Sequence, residues 1–270
     1  MEKLSDWDTW RQLASNVSRK SPEYTSNLYL GRDQIETWLA AELLWTIAVP
    51  NALLLLRYDR SFFRIYHVAA DTPSLETALN NIPNNVYISD IIDSAAHLST
   101  SLSAYSKNGF KPHTTLKRMS LVKKSEEIDC FSKPENIASL EDVSKVYALL
   151  ERQLDPFAEQ IPSVDDLRRE VQRGHILVVR RGSDVTGMLM YELRGHMAHL
   201  RLWHVDKDLQ GKGIGRCLMT TFLKRCSQTH RILLWVLASN TRAISIYERH
   251  GFVFDGLQDQ IMIRPKERLE

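Results

Sequence analysis

The chain has little cysteine and lacks a long apolar run. Three cysteines occur among 270 residues, and their spacing is not that of a metal-binding motif. The longest apolar segment, residues 40–56, is interrupted by Glu42, Pro50 and Asn51. The first residues do not resemble a signal peptide, and no segment reaches the length of a membrane span. We therefore expect a cytoplasmic protein with reduced thiols, no bound metal and no membrane partner.

An excess of charge of either sign is also missing. The formal net charge is +2, with 25% charged and 43% hydrophobic residues, which is typical of a globular protein. Such a balance gives no reason to expect a nucleic acid as partner. The length of 270 residues favours two domains of ordinary size.

Glycine is scarce as well, so a cluster of glycines is informative. Gly211, Gly213 and Gly215 alternate between a predicted strand and a segment with helical spacing of apolar residues. Lys212 and Arg216 lie in the same loop. A glycine-rich turn at a helix start presents unpaired N–H groups and the positive end of the helix dipole. The cluster therefore predicts a site for phosphate.

Three kinds of phosphate loop compete for this segment. A P-loop requires Ser or Thr after Gly-Lys, and a dinucleotide fold requires glycine where Arg216 stands. The third pattern, Q-x-x-G-x-G, is met by Gln210, Gly213 and Gly215. It resembles the acetyl-CoA pyrophosphate loop of the GNAT (Gcn5-related N-acetyltransferase) superfamily. On the loop alone, a turn that uses glycine only for its shape is an equal alternative.

A second motif lies downstream. The segment from Asn240 to Phe252 has the pattern N-x-x-A-x-x-x-Y-x-x-x-G-F, which is similar to the second GNAT signature. Asn240 is a favourable N-cap, and Gly251 can end the helix in the left-handed conformation. The resemblance covers residues 128–265 and implies an α/β fold, with a mixed sheet flanked by helices, and acetyl-CoA as co-substrate.

The resemblance also implies roles for individual residues. The Val205 N–H would polarise the thioester carbonyl, and Tyr247 would donate a proton to the CoA thiolate. A tyrosine packed in the core is the alternative for Tyr247. The residues expected to contact acetyl-CoA are Trp203, Val205, Gln210, Gly211, Lys212, Gly213, Ile214, Gly215, Arg216, Asn240 and Tyr247.

The general base is less clearly marked. Strand alternation places His199, Arg201 and Trp203 on one face and His204 on the other, unless a bulge intervenes. By resemblance His199 is the first candidate, His204 the second and Glu192 the third. Ordered water held by backbone carbonyls would serve equally well.

A repeat divides the chain. Tyr105–Phe110 repeats the Y-x-x-x-G-F pattern of the second motif, and a similar order of predicted elements precedes both copies. We therefore predict two GNAT-like domains in tandem, 1–125 and 126–270, joined at the polar segment 123–127. In the first copy the phosphate loop aligns with residues 68–73, which contain no glycine but include Asp71. The first domain is therefore expected to have lost the cofactor.

Apolar periodicity predicts the secondary structure. It places helices at 4–17 and 33–49, a hairpin at 52–58 and 62–69, a strand at 128–131, and two final strands at 252–255 and 260–263.

The function expected from the resemblance is direct transfer of an acetyl group from acetyl-CoA to a primary amine. The acceptor would be a small molecule or a peptide, and the protein a monomer or homodimer. The alternative is a non-catalytic module that binds CoA for regulation or sensing. A nucleotide-binding protein that uses the same loop is disfavoured by the motif mismatches above.

Overall fold

The computed structural model describes residues 1–22, 24–94, 98–122 and 136–266. The chain folds as two compact units. One contains Met1–Leu116 together with Gly256–Glu270, and the other contains Lys117–Asp255. In each unit, helices cover a mixed sheet. The predicted α/β class is confirmed.

The first unit is built on strands that pair in an antiparallel order, β3 with β4 and β4 with β5, followed by a short parallel pair of β5 with β6. Its elements are β1 (Glu2–Lys3), α1 (Trp7–Ser18), β2 (Thr25–Ser26), α2 (Arg32–Ala40), β3 (Leu44–Val49), β4 (Ala52–Asp59), β5 (Phe62–Ala69), α3 (Thr72–Asn80), β6 (Tyr87–Ser94), α4 (Leu98–Lys107) and the first half of β7 (Lys111–Val122).

The second unit repeats this order. Strand β9 pairs antiparallel with β8 and β10, and β10 pairs parallel with β11. Its elements are α5 (Val143–Gln153), α6 (Val164–Gln172), β8 (Ile176–Arg181), β9 (Asp184–Arg194), β10 (Met197–Val205), α7 (Ile214–Arg225), β11 (Arg231–Leu237), α8 (Thr241–Arg249) and the start of β12 (Val253–Arg264). None of the described helices is long and apolar enough to cross a membrane.

The strands of each unit are covered by helices on both faces, so each unit has two clusters of buried side chains. In the first unit, one cluster lies against α3 and α4 and the other against α1 and α2. In the second unit, one cluster lies against α7 and α8 and the other against α5 and α6. The run from Ala52 to Arg57 in β4 is buried at every position. A strand covered on both faces reads as a continuous apolar run for this reason.

Two strands are divided between the units. Residues 111–116 of β7 belong to the first unit and 117–122 to the second. The end of β12 completes the first unit, where it pairs with β6 from Leu257↔Ser94 to Arg264↔Tyr87. The predicted division 1–125 and 126–270 stays a prediction, because its boundary lies outside the described residues.

Two predicted elements are wrong. The helix predicted at 33–49 ends at Ala40, and Leu44–Val49 forms β3 instead. Glu42 has a φ of 58°, which ends the helix, and pairing with β4 then selects the strand. The two strands predicted at 252–255 and 260–263 are one strand, β12. The predicted hairpin of β4 and β5 is confirmed. The predicted linker 123–127 and strand 128–131 lie outside the described residues.

The internal repeat is confirmed in three dimensions. Both Tyr105–Phe110 and Tyr247–Phe252 end a helix with a left-handed glycine, Gly109 at φ 80° and Gly251 at φ 86°. In both, the phenylalanine N–H donates to the tyrosine carbonyl at 3.1 Å, and the two rings meet edge to face. The two units are therefore copies of one fold in tandem.

The division of β7 and β12 gives a testable prediction. Met262 is buried in the core of the first unit and Met119 in the core of the second. Met262→Ala should destabilise the first unit and Met119→Ala the second, each by about 2–5 kcal/mol, because each leaves a cavity in a packed core. Hydrogen exchange of β4 and of β10 peptides measures the two units separately. Faster exchange in β10 rather than β4 for Met262→Ala would contradict this assignment.

Candidate functional site

The site begins where two parallel strands of the second unit separate. Strand β10 pairs with β11 at only four positions, from Met197↔Arg231 to Leu200↔Leu234. Beyond them β10 continues along β9 as far as Val205↔Gly187. The end of β10 therefore has a neighbour on one side and a gap on the other.

Backbone groups point into this gap. The Asp206 N–H donates to the Thr186 carbonyl at 2.9 Å, so this position bonds toward β9. Because hydrogen bonding alternates along an antiparallel strand, His204 also bonds toward β9. Trp203 and Val205 then direct their backbone groups toward the gap.

A bulge sets which side chains lie on each face of β10. Leu200 pairs with Tyr191 and Leu202 with Met190, so Arg201 is an extra residue. Leu200 packs with the cluster against α7 and α8, while Leu202 packs with the cluster against α5 and α6. Trp203 also packs against α7 and α8. The prediction that Trp203 shares a face with His199 and Arg201 is therefore wrong.

The glycine-rich loop follows β10 and leads into α7. Gly211 and Gly213 have φ angles of 81° and 85°, a conformation that other residues rarely adopt. Gly213 is the N-cap of α7 and supplies no side chain to cap it. Within α7 the Cys217 N–H donates to the Gly213 carbonyl at 2.9 Å. The N–H groups of Ile214, Gly215 and Arg216 have no acceptor within the helix and lie at the positive end of the helix dipole.

Two further glycines let α7 approach the sheet closely. A Cβ atom on Gly215 would lie 3.1 Å from the Trp203 ring, and one on Gly187 only 2.7 Å from the Ile214 side chain. Gly187 was missed in the sequence, where a glycine inside a strand was the available signal. Together these glycines place the start of α7 beside the end of β10.

Gln210 joins the loop to the elements on either side. Its Nε2 donates to the Val205 carbonyl at 3.3 Å, and its Oε1 accepts from Arg242 Nη1 at 2.8 Å. Arg242 lies in the first turn of α8 and was not among the predicted site residues. The Gln210 side chain therefore fixes the loop between β10 and α8.

Helix α8 carries the predicted proton donor. The Asn240 side chain caps the helix by accepting from the Ala243 N–H at 3.0 Å. Tyr247 is 7% exposed, and its ring centroid lies 5.5 Å from that of Trp203. Burial, and next to it the charge of Glu159, raises the pKa of Tyr247 above its usual value. Its hydroxyl therefore stays protonated across the neutral range.

Comparison with known proteins identifies this arrangement. Residues 141–252 match the model of the acetyltransferase (GNAT) family. This part of the chain is a GNAT domain. The match contains both motifs, from Gln210 to Phe252, and the elements that position them.

Curated relatives and solved structures agree with this family. The spermine/spermidine N(1)-acetyltransferase of Bacillus subtilis strain 168 is 29% identical over 87 residues, which cover 28% of this chain and 57% of that protein. The chain thus matches little more than half the length of this relative. A GCN5-related N-acetyltransferase of Sphaerobacter thermophilus has a TM-score of 0.58 at 15% identity, covering 81% of this chain and 79% of that one. A tandem GNAT protein from the clavulanic acid pathway has a TM-score of 0.55 at 11% identity, covering 96% and 89%.

An acidic residue of the GNAT domain was missed in the sequence. Glu159 lies between α5 and α6, outside any helix or strand. Burial raises the pKa of Glu159 to about 7, and the negative charge of Glu159 helps to raise the pKa of Tyr247. No motif marks Glu159, because only the fold brings it close to α8.

The three base candidates from the sequence lie in less suitable surroundings. Burial, with the charges of Arg201 and Arg194 next, lowers the pKa of His199 to about 3. Burial lowers the pKa of His204 to about 4. Glu192 accepts from Arg201 at 2.9 Å and from Arg194 at 3.0 Å. A histidine of such low pKa is a weak proton acceptor, and an ion-paired carboxylate is held in its salt bridges.

Basic residues surround the loop of the GNAT domain. Lys212 and Arg216 are exposed beside the start of α7. Burial, with the charges of Arg249 and Arg216 next, lowers the pKa of His250. On a chain of formal net charge +2, this concentration of positive charge favours an anion at the loop.

Trp203 carries an unpaired buried donor beside the gap. Trp203 Nε1 is buried and has no acceptor among the residues that the structure describes. An unpaired buried donor is unfavourable, and such donors are found at ligand sites. Within the same described ranges, no group of three or more acidic, histidine or cysteine side chains is arranged to hold a metal ion.

Proposed function

We propose that this protein transfers an acetyl group from acetyl-CoA to a primary amine, and that its second unit is the catalytic one. The observation that carries the proposal is the meeting of three features at one gap. They are the N–H groups at the start of α7, which have no acceptor within the helix, the backbone of Val205, and the protonated hydroxyl group of Tyr247.

Binding of the cofactor follows from this geometry. The N-terminus of α7, with Lys212 and Arg216 beside it, holds the pyrophosphate of CoA. The pantetheine arm enters the gap between β10 and β11 and lies along Val205, whose carbonyl already accepts from Gln210. The Val205 N–H then polarises the thioester carbonyl, which becomes more electrophilic.

Two side chains handle the protons. The acceptor reacts as the neutral amine, after its ammonium form has released one proton to solvent. Glu159, with its pKa near neutral, accepts the second proton, which the nitrogen loses as it attacks. The amine nitrogen forms a bond to the acetyl carbon while the carbon–sulfur bond breaks. Tyr247 donates its proton to the departing thiolate and is then reprotonated from Glu159. The net result is an acetamide and a free thiol.

The acceptor is a small aliphatic amine. Support comes from the Bacillus relatives, whose names give spermine and spermidine as their substrates. It also comes from Glu159, because a carboxylate attracts an ammonium group. A module that only senses CoA would bind the cofactor equally well, but it would release no thiol with any amine.

The loop assignment is tested by a matched pair of variants at Gly213. Both Gly213→Asp and Gly213→Asn place a side chain where no atom lies within 4 Å, and both meet the same positive φ. Only the aspartate adds negative charge at the helix start. Gly213→Asp should weaken acetyl-CoA binding at least tenfold more than Gly213→Asn, as measured by calorimetry. Equal affinities in two folded variants would remove the pyrophosphate from this loop.

The role of Tyr247 is tested by Tyr247→Phe. Loss of a general acid lowers turnover by about 10²–10⁴-fold, and the phenyl ring preserves the packing against Trp203. Acetyl-CoA affinity should change little. Steady-state thiol release and a melting curve measure the two effects. A variant that keeps more than a third of the turnover, with chemistry rate-limiting, would assign Tyr247 to the core.

Glu159 makes a prediction about pH. A base with a pKa of about 7 is protonated below that pH, so kcat/KM should rise as pH increases through neutrality. Glu159→Gln should lower kcat at least tenfold and remove this acidic limb.

Stability provides a control for the same variant. The raised pKa means that the folded state loses stability as pH rises from the usual pKa of 4.5 through about 7. Glu159→Gln removes this loss, so its melting temperature should exceed that of the parent at pH 8 and not at pH 5. For activity, a dependence of kcat/KM on pH that is the same in Glu159→Gln as in the parent would show that another group is the base.

A further inference from the structure

A large cavity lies in the first unit, and its lining includes no residue of the proposed catalytic site. It measures about 900 Å³, within the range of small-ligand sites. It lies where β5 and β6 separate. These strands pair only at Phe63↔Tyr87 and Arg64↔Ile88, and beyond that β5 pairs with β2 instead.

A buried asparagine holds the separated strands. Asn27 is 2% exposed, and its Nδ2 donates to the Ile65 carbonyl at 3.2 Å, to Ser89 Oγ at 3.0 Å and to the Asp90 carbonyl at 2.8 Å. Its Oδ1 accepts from the His67 N–H at 2.6 Å. One amide thus bonds to both β5 and β6. The cavity therefore has a fixed, fully bonded floor rather than a collapsible one.

The floor carries no charge. Burial lowers the pKa of His67 to about 3, so its ring is neutral. His67 Nδ1 lies 3.0 Å from the Tyr105 hydroxyl and Nε2 lies 3.2 Å from Thr25 Oγ1. Tyr105 is the counterpart of Tyr247 in the repeat, but its hydroxyl is bonded within the core. Tyr105 is therefore not placed to donate a proton to a ligand, as is proposed for Tyr247.

The helix start beside the cavity repels anions. The Asp71 side chain caps α3 by accepting from the Ser74 N–H at 2.7 Å, and Pro73 has no N–H to offer. This carboxylate occupies the position where a GNAT loop would present its backbone to pyrophosphate. The cavity is therefore unsuited to CoA.

The walls instead favour a cation. The described residues that line the cavity include the carboxylates Asp71 and Asp93 and no lysine or arginine. Burial is the main cause that raises the pKa of Tyr29 to about 12, and the negative charges of Asp93 and Asp259 add to it. Tyr24 and Tyr29 are 49% and 53% exposed and also line the cavity. Aromatic faces beside carboxylates are favourable surroundings for an ammonium group.

We propose that the first unit binds a small cationic amine in this cavity, between the two exposed tyrosines and the carboxylates of Asp71 and Asp93. The unit thus retains the strand separation of its fold, but uses it for an amine instead of a cofactor. This site is separate from the acceptor site of the proposed acetyl transfer, and neither proposal depends on the other.

The probe for this site is spermidine, titrated calorimetrically into the full chain. A neutral chain of similar length, 1,8-octanediol, serves as the comparison ligand. Spermidine should bind saturably, more weakly at high salt, and at least tenfold more tightly than 1,8-octanediol. Absence of spermidine binding, or equal binding of 1,8-octanediol, would overturn the proposal.

Variants locate the site. Asp93→Asn should weaken spermidine binding at least tenfold, and Asp71→Asn, which keeps a side chain able to cap α3, should weaken it as well. Asp33→Asn, at an exposed position of α2, is the matched control and should bind as the parent does. Full affinity in both folded cavity variants, or an equal loss in Asp33→Asn, would place the amine elsewhere.

Discussion

The separation of two parallel strands is the feature on which the rest of this structure depends. After four paired residues, β10 leaves β11 and continues along β9. Unpaired backbone groups are costly unless something bonds to them, so a gap of this kind is stable where ligand, water or side chains fill it. In the second unit the start of α7 lies beside the end of β10, because Gly187 and Gly215 allow the helix to approach the sheet closely. The loop, the strand end and Tyr247 converge for that reason.

The first unit resolves the same constraint differently. There the side chain of Asn27 bonds to both separated strands, and His67 and Tyr105 bond to each other below it. Tyr105, the counterpart of Tyr247, thus becomes part of a buried polar network. Satisfied networks of this kind rigidify a structure. The first unit thus has carboxylates beside its cavity, where the second unit presents glycine N–H groups at the corresponding helix start.

Electrostatics distinguishes the two units more sharply than their shapes do. In the second unit, basic residues and an uncapped helix start favour an anion, whereas in the first an aspartate caps the equivalent helix. Charged groups near a helix terminus act over its first turn, so a single residue at that position changes the charge that the helix start presents. Burial also shifts individual pKa values. It raises the pKa of Glu159 and lowers the pKa of His199.

The sequence by itself determined the features that depend on local patterns. Spacing of glycine, asparagine and tyrosine identified the loop and the helix α8, because turns and caps require particular residues at fixed intervals. The tertiary structure decided the features that depend on contacts between segments far apart in the sequence. Pairing with β4 converted a predicted helical segment into β3, and a bulge at Arg201 moved Trp203 to the other face of its strand. Likewise, the proximity of Glu159 to Tyr247 and the place of β12 in the first unit depend on contacts between distant segments, which no local spacing encodes.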